Sequence, residues 1–177
     1  MAKQNIKSKK GFTIIEVVLV LAIAGLIFLM VFIALPALQR SQRDTQRRDD
    51  MARFLSQVNQ YQANNAGKIP TTLVEWEGDA TKTGFIQNYL QTAGDTFNDP
   101  STGGTYDVYD TIYKCTDLTA CPGTSDVGNV ESETDRGIIH IYTNAQCDGE
   151  NPKYVNGDRK IAIRIKLEGA GVYCGNN

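Results

Sequence analysis

From Val17 to Leu38 the chain reads VVLVLAIAGLIFLMVFIALPAL, 22 residues without a charged side chain. As a helix this run would span about 33 Å, against roughly 30 Å of bilayer hydrocarbon. A cleaved secretory signal has a shorter apolar core, about 7 to 15 residues, followed by a small-residue cleavage site. Here the run leads directly into Gln39 and Arg40 with no A-x-A pattern. A retained membrane anchor is therefore expected, and the remaining length allows one folded domain behind it.

Charge does not orient the anchor. Lys3, Lys7, Lys9 and Lys10 precede it, and Arg40, Arg43, Arg47, Arg48 and Arg53 follow it. The positive-inside rule compares these flanks and finds no clear winner. Cysteine usage decides instead. Cys115, Cys121, Cys147 and Cys174 all lie in the last third of the chain. An even number in a chain with an export segment points to disulfides, and so to a C-terminal body outside the cytoplasm. No CxxC pair is present, which disfavours zinc. Four cysteines leave three pairings open.

The net charge of −2 conceals an asymmetry. Without the four leading lysines, 14 of the 18 basic groups would face 20 acidic ones, a net of −6. A body of that sign does not suit bulk nucleic-acid binding, which needs dense Lys and Arg against phosphates, although a local basic patch remains compatible. Enzymatic chemistry finds no support either. No phosphate loop, zinc motif or nucleotide fingerprint occurs. His140, the only histidine, alternates with Ile139 and Ile141 and is read as a structural or surface residue on a strand.

Glu16 is the anomaly of the apolar stretch FTIIEVVLVL. An ionisable group inside a membrane is costly and by default functional, whereas one at the bilayer surface costs little.

KKGFTIIEVVLVLAIAGLI resembles the class III signal and N-terminal helix of type IV pilins and their pseudopilin relatives. The resemblance implies that residues 1–11 are a leader. A prepilin peptidase would cut it between Gly11 and Phe12 on the cytoplasmic face, and Phe12 would then be N-methylated. It further implies that Glu16 of one subunit neutralises the Phe12 amine of a neighbour, which would set the packing register because an unpaired charge in an apolar bundle is expensive. Gly25 matches a glycine usual in these helices. Pro36 falls a few residues later than the family's proline and should kink the helix near the membrane exit.

QRSQRDTQRRDD, residues 39–50, offers no apolar side chain for a core and is read as a solvated helix face or a charged collar meeting neighbouring subunits. Met51, Phe54, Leu55, Val58 and Tyr61 then recur at helical spacing, the stripe of a helix laid on a folded body. Asn64 to Gly67 and Pro70 end it. One helix is expected from about Phe12 to about Asn65, with 12–38 as the membrane and assembly segment and 39–65 as its exposed amphipathic half.

Residues 66–177 read as a β-rich head. TYDVYD, GIIHIY and KIAIRIKL are the clearest strands, Val172 and Tyr173 a short edge, and Phe85 to Leu90 a short helix. The expected fold is α+β and type IV pilin-like, with an antiparallel sheet packed on the second half of the helix. FNDPSTGGTYDVY resembles the Asp-Pro, Gly, Tyr motif before the first head strand of major pseudopilins and many Gram-positive-type pilins. The resemblance also favours Cys147 with Cys174, closing a C-terminal loop, which leaves Cys115 with Cys121 around Thr116 to Ala120. No cofactor is expected. Calcium is the one metal weighed, because Asp148, Glu150, Asn151, Asn156 and Asp158 cluster where major pseudopilins bind it, but the spacing is not that of an EF-hand and a solvated acidic turn explains it as well.

The function this implies is a pilus filament subunit serving adhesion, twitching motility or DNA uptake. It would sit in the cytoplasmic membrane as precursor and on the cell surface once assembled. Its partners would be its own copies, minor pilins, prepilin peptidase, the assembly machinery, membrane lipid before assembly, and host surface or DNA afterwards. The alternatives are a pseudopilin of a type II secretion or competence filament and a single-pass anchored binding protein that never polymerises.

Overall fold

The computed structural model describes residues 11–91, 96–116, 121, 137–169 and 171–177. Leader residues 1–10 and residues 117–120 of the expected Cys115–Cys121 loop lie outside them. The chain divides into two compact units, Met1–Gln39 and Arg40–Asn177.

A single helix, α1 (Ile14–Asn64), supplies the described secondary structure of the first unit and continues into the second. Within the first unit it is long and apolar enough to cross a membrane. Of the exposed large apolar side chains in the described residues, all but Val74 lie between Phe12 and Leu38. That concentration is what lipid or other helices, rather than water, would solvate. Helical structure continues through Pro36.

In the second unit α1 presents the predicted stripe inward. Met51, Phe54 and Val58 are fully buried and Leu55 nearly so, with Tyr61 packed at the edge. Phe54 is the hub, its ring 5.3 to 6.1 Å from those of Phe85, Trp76 and Phe97. Truncating such a ring to Ala would cost about 3–5 kcal/mol. The helix stops where Ala66 and Gly67 turn left-handed, at φ 54° and 80°. The left-handed φ favours glycine at 67, and the exposed Arg159 guanidinium packs over the space a Cβ would take.

A five-residue helix, α2 (Leu73–Glu77), follows, and its start is fixed by a capping box between Thr72 and Glu75. It carries Trp76 into the core. The short helix expected near Phe85 is a π-helical turn, Ile86–Leu90.

Seven strands complete the head: β1 (Asp107–Val108), β2 (Tyr113–Lys114), β3 (Ile138–Thr143), β4 (Ala145–Asp148), β5 (Asn151–Tyr154), β6 (Ile161–Lys166) and β7 (Val172–Asn176). β3, β6 and β7 pair antiparallel, as do β4 and β5. The two-residue strands β1 and β2 depart from the expected antiparallel order and join β3 in parallel. Parallel pairing needs a long connection rather than a hairpin, and the stretch between Lys114 and Ile138 provides the length.

Both faces of the sheet are covered. Ile139, Ile141, Ile161, Ile163 and Ile165 pack with the α1 stripe. On the opposite face Tyr142 and Ala162 pack with Tyr113, Cys115, Cys121 and Ala145. His140 lies on that second face, 4% exposed, its ring stacked 4.5 Å from Tyr109.

Candidate functional site

The site singled out by sequence is the start of α1. Gly11, Phe12 and Thr13 precede the helix. Both the Thr13 amide and its hydroxyl donate to Glu16 Oε2 at 2.8 Å, and the Glu16 amide points back to Thr13 Oγ1 at 3.4 Å. This reciprocal pair is a capping box, Thr-x-x-Glu, and it satisfies amide donors that a helix start otherwise leaves orphaned. It also sets a negative group against the positive end of the helix dipole.

The box fixes where the helix begins, and so what lies outside it. The Gly11–Phe12 peptide sits in non-helical chain, and Phe12 is 90% exposed. That peptide is therefore outside the helical hydrogen-bond ladder. Glu16 is exposed as well, so its carboxylate can also reach a group outside its own chain. Gly25 has open space where a Cβ would stand, and no contact within this chain requires a glycine there.

The structure joins Cys115 to Cys121 and Cys147 to Cys174, at sequence separations of 6 and 27. The second bridge ties β4 to β7. The segment weighed for calcium is the β4–β5 hairpin and its continuation. Within it Asp148 lies 3.6 Å from Lys153, and Asn151 Oδ1 accepts from Arg164. Among the described residues no three His, Cys, Asp or Glu side chains are grouped to hold a metal.

The charged stretch 39–50 is more than a solvated face. Arg47 is fully buried, its Nε 2.6 Å from Asp99 Oδ2 and its Nη2 3.0 Å from Asp99 Oδ1. Arg43 grips Glu168 through two nitrogens, at 2.9 and 2.6 Å. Asp44 accepts the backbone amides of Glu168 and Gly169 at 2.7 and 2.8 Å. Asp50 accepts the Tyr106 hydroxyl at 2.9 Å. This half of α1 is thus bolted by charge to the β6–β7 turn and to the Asp99 loop, which is the Asp-Pro, Gly, Tyr segment. Helical periodicity of polar residues identifies no partner, so the sequence left these contacts hidden.

Burial alone would drive Asp99 toward its neutral form, but hydrogen bonds from Arg47 and Ser101 hold its carboxyl below the usual range. Burial likewise opposes the Arg47 charge, and Asp99 outweighs it, so the guanidinium is held above its ordinary value. Asp50 and Glu77 go the other way. Burial pushes both up, against hydrogen bonds from Tyr106 and from the Val108 amide.

These features define a membrane-anchored α+β protein with a capped apolar helix at its N-terminus. Residues 6–32 match the family model of the prokaryotic N-terminal methylation motif, the kind of segment that type IV pilin and pseudopilin precursors carry. Such a motif implies a prepilin peptidase substrate. No curated protein and no solved structure matched the chain.

Proposed function

We propose that this chain is the structural subunit of a type IV pilus filament. Prepilin peptidase removes residues 1–11 and methylates Phe12. The mature subunit waits in the cytoplasmic membrane and is then drawn by the assembly machinery into a surface polymer of its own copies, capped or primed by minor pilins. The observation that carries this reading is the match over residues 6–32, which takes in the proposed leader end and cut, Glu16 and most of the apolar run.

Glu16 then has two roles in sequence. In the single chain it caps the helix through Thr13. In the filament it meets the Phe12 amine of a neighbour, where a low dielectric strengthens the pair and penalises a missed register. The open flank at Gly25 gives room for close helix approach. Outside the cell the filament serves adhesion, twitching motility or DNA uptake.

A pseudopilin of a secretion or competence filament is the second reading, since the Asp-Pro, Gly, Tyr segment from Phe97 to Tyr109 resembles pseudopilins as well as pilins. Sheared surface material separates the readings. The N-terminal peptide is expected to begin at methylated Phe12 and to be recovered in long filaments. The same peptide confined to the cell envelope would favour the pseudopilin, and a mass beginning at Met1 would leave only a plain anchor.

A further inference from the structure

An open groove of about 570 Å³ lies along the flank of α1 in the second unit, lined by Gln57, Gln60, Asn64, Asn88 and Tyr89. Its volume falls within the range of small-molecule sites. Among the described residues its lining has four carboxamides, one phenol and no charged side chain. A second concavity, near the end of α1, makes the contrast: Lys68, Glu75, Asp158 and Arg159 all contribute to it.

Gln57, Gln60 and Asn64 share one flank of the helix at i, i+3 and i+7. Asn88 and Tyr89 face them from the π-helical turn. Such turns are rare and recur at functional sites. Here the turn sets the Tyr89 ring at the groove and holds it firmly. The ring stacks on Phe85 at 5.2 Å and 18°, meets Tyr61 edge-on at 5.5 Å, and its hydroxyl receives Asn64 Nδ2 at 3.4 Å. Of the carboxamide donors at the groove, Asn88 also bonds the Thr83 carbonyl at 3.3 Å.

The geometry points to a binding site for a neutral saccharide. Each carboxamide offers two N–H donors and an acceptor oxygen, the match for vicinal hydroxyls that both donate and accept. The half-buried Tyr89 ring at the groove can supply an apolar contact for the C–H side of a pyranose. An anionic ligand would find no cation among the described lining residues, and a lipophilic one would have to desolvate four amides without recompense. The site does not depend on polymerisation, since all of its lining belongs to one head.

The test is saturation-transfer NMR on the full chain in phosphatidylcholine nanodiscs, with empty nanodiscs as reference. The probes are methyl β-galactopyranoside, methyl α-mannopyranoside and methyl β-N-acetylglucosaminide, with glucose 6-phosphate as the charged comparison. Transfer to the C–H protons of at least one neutral glycoside is expected. Gln60→Ala and Asn88→Ala, both at exposed positions, should each weaken that affinity about fivefold, and Gln60→Ala should do so with thermal unfolding unchanged. Tyr89→Leu should abolish binding, and Tyr89→Phe, which keeps the ring, should retain it. Absence of transfer to every neutral probe would overturn the proposal. So would affinity unmoved by Gln60→Ala and Asn88→Ala, or stronger binding of glucose 6-phosphate.

Discussion

Arg47 and Asp99 form a two-point ion pair with both side chains fully out of solvent, although 52 residues separate them and neither has an apolar atom cluster to recommend it for a core. The pair joins α1 to the loop before β1. Removing one partner leaves the other charged, buried and uncompensated, which costs about 3–5 kcal/mol. Arg47→Met should therefore lower the stability of the head by that amount in urea unfolding. Arg47→Met combined with Asp99→Leu should recover part of the loss, because no charge is then stranded. Full recovery is not expected, since Asp99 also accepts the amides of Ser101 and Thr102.

The same pair gives the head an acid limit. Asp99 is held below its usual value, so its contribution is present above the unfolded carboxyl value of about 3.9 and is lost as pH falls from there through the folded value. Asp50 has the opposite sign, because burial raises it. Its charge opposes folding at neutral pH, and that opposition fades as pH falls through its raised value. Asp50→Asn should accordingly stabilise the head at pH 7, and the gain should shrink as the pH is lowered to 4. Unfolding curves at the two values check both statements.

On the proposed filament reading, Glu16→Gln separates capping of the helix from pairing with a neighbouring subunit. Gln closes a capping box as Glu does, so the helix start and cleavage after Gly11 should survive. The charge is gone, and the neighbour's Phe12 amine has no counter-ion. Filament yield should fall at least about tenfold, equivalent to little more than 1.4 kcal/mol at the subunit contact. Normal filaments from Glu16→Gln would show that capping alone explains the carboxylate.

The two disulfides should differ in worth. Closing the longer loop, Cys147 to Cys174, removes more chain entropy from the unfolded state than closing Cys115 to Cys121, at about 3–4 against about 2 kcal/mol. Paired Cys→Ser replacements, compared by denaturant midpoint, should rank in that order.

Much of the frame was legible in the sequence. The apolar run and the Met51 to Val58 stripe announced α1, because burial on one face imposes a period that side-chain chemistry reveals. The strands β3 and β6 showed through their β-branched content. The helix α2 was legible in the same way: Thr72-x-x-Glu75 is the same box as Thr13-x-x-Glu16, and such a box gives Glu16 a partner within its own chain. The strands β4 and β5 carry little β-branched content, and β1 and β2 are too short for any alternation to register. The amide groove had no signal at all, because glutamines and asparagines on a helix look alike whether or not a tyrosine stands opposite.

The sequence by itself determined that a capped apolar helix leads the chain, where that helix begins and ends, and that a disulfide-bearing α+β head follows. These are local properties, fixed by spacing, capping and hydropathy. Tertiary structure decided the rest. It turned a run of arginines and aspartates from apparent solvent face into buried and half-buried clamps, set two short strands parallel to β3, and brought Asn88 and Tyr89 beside Gln57, Gln60 and Asn64. Each of those depends on a partner distant in sequence, and a charge or an amide is satisfied by whichever partner the fold delivers.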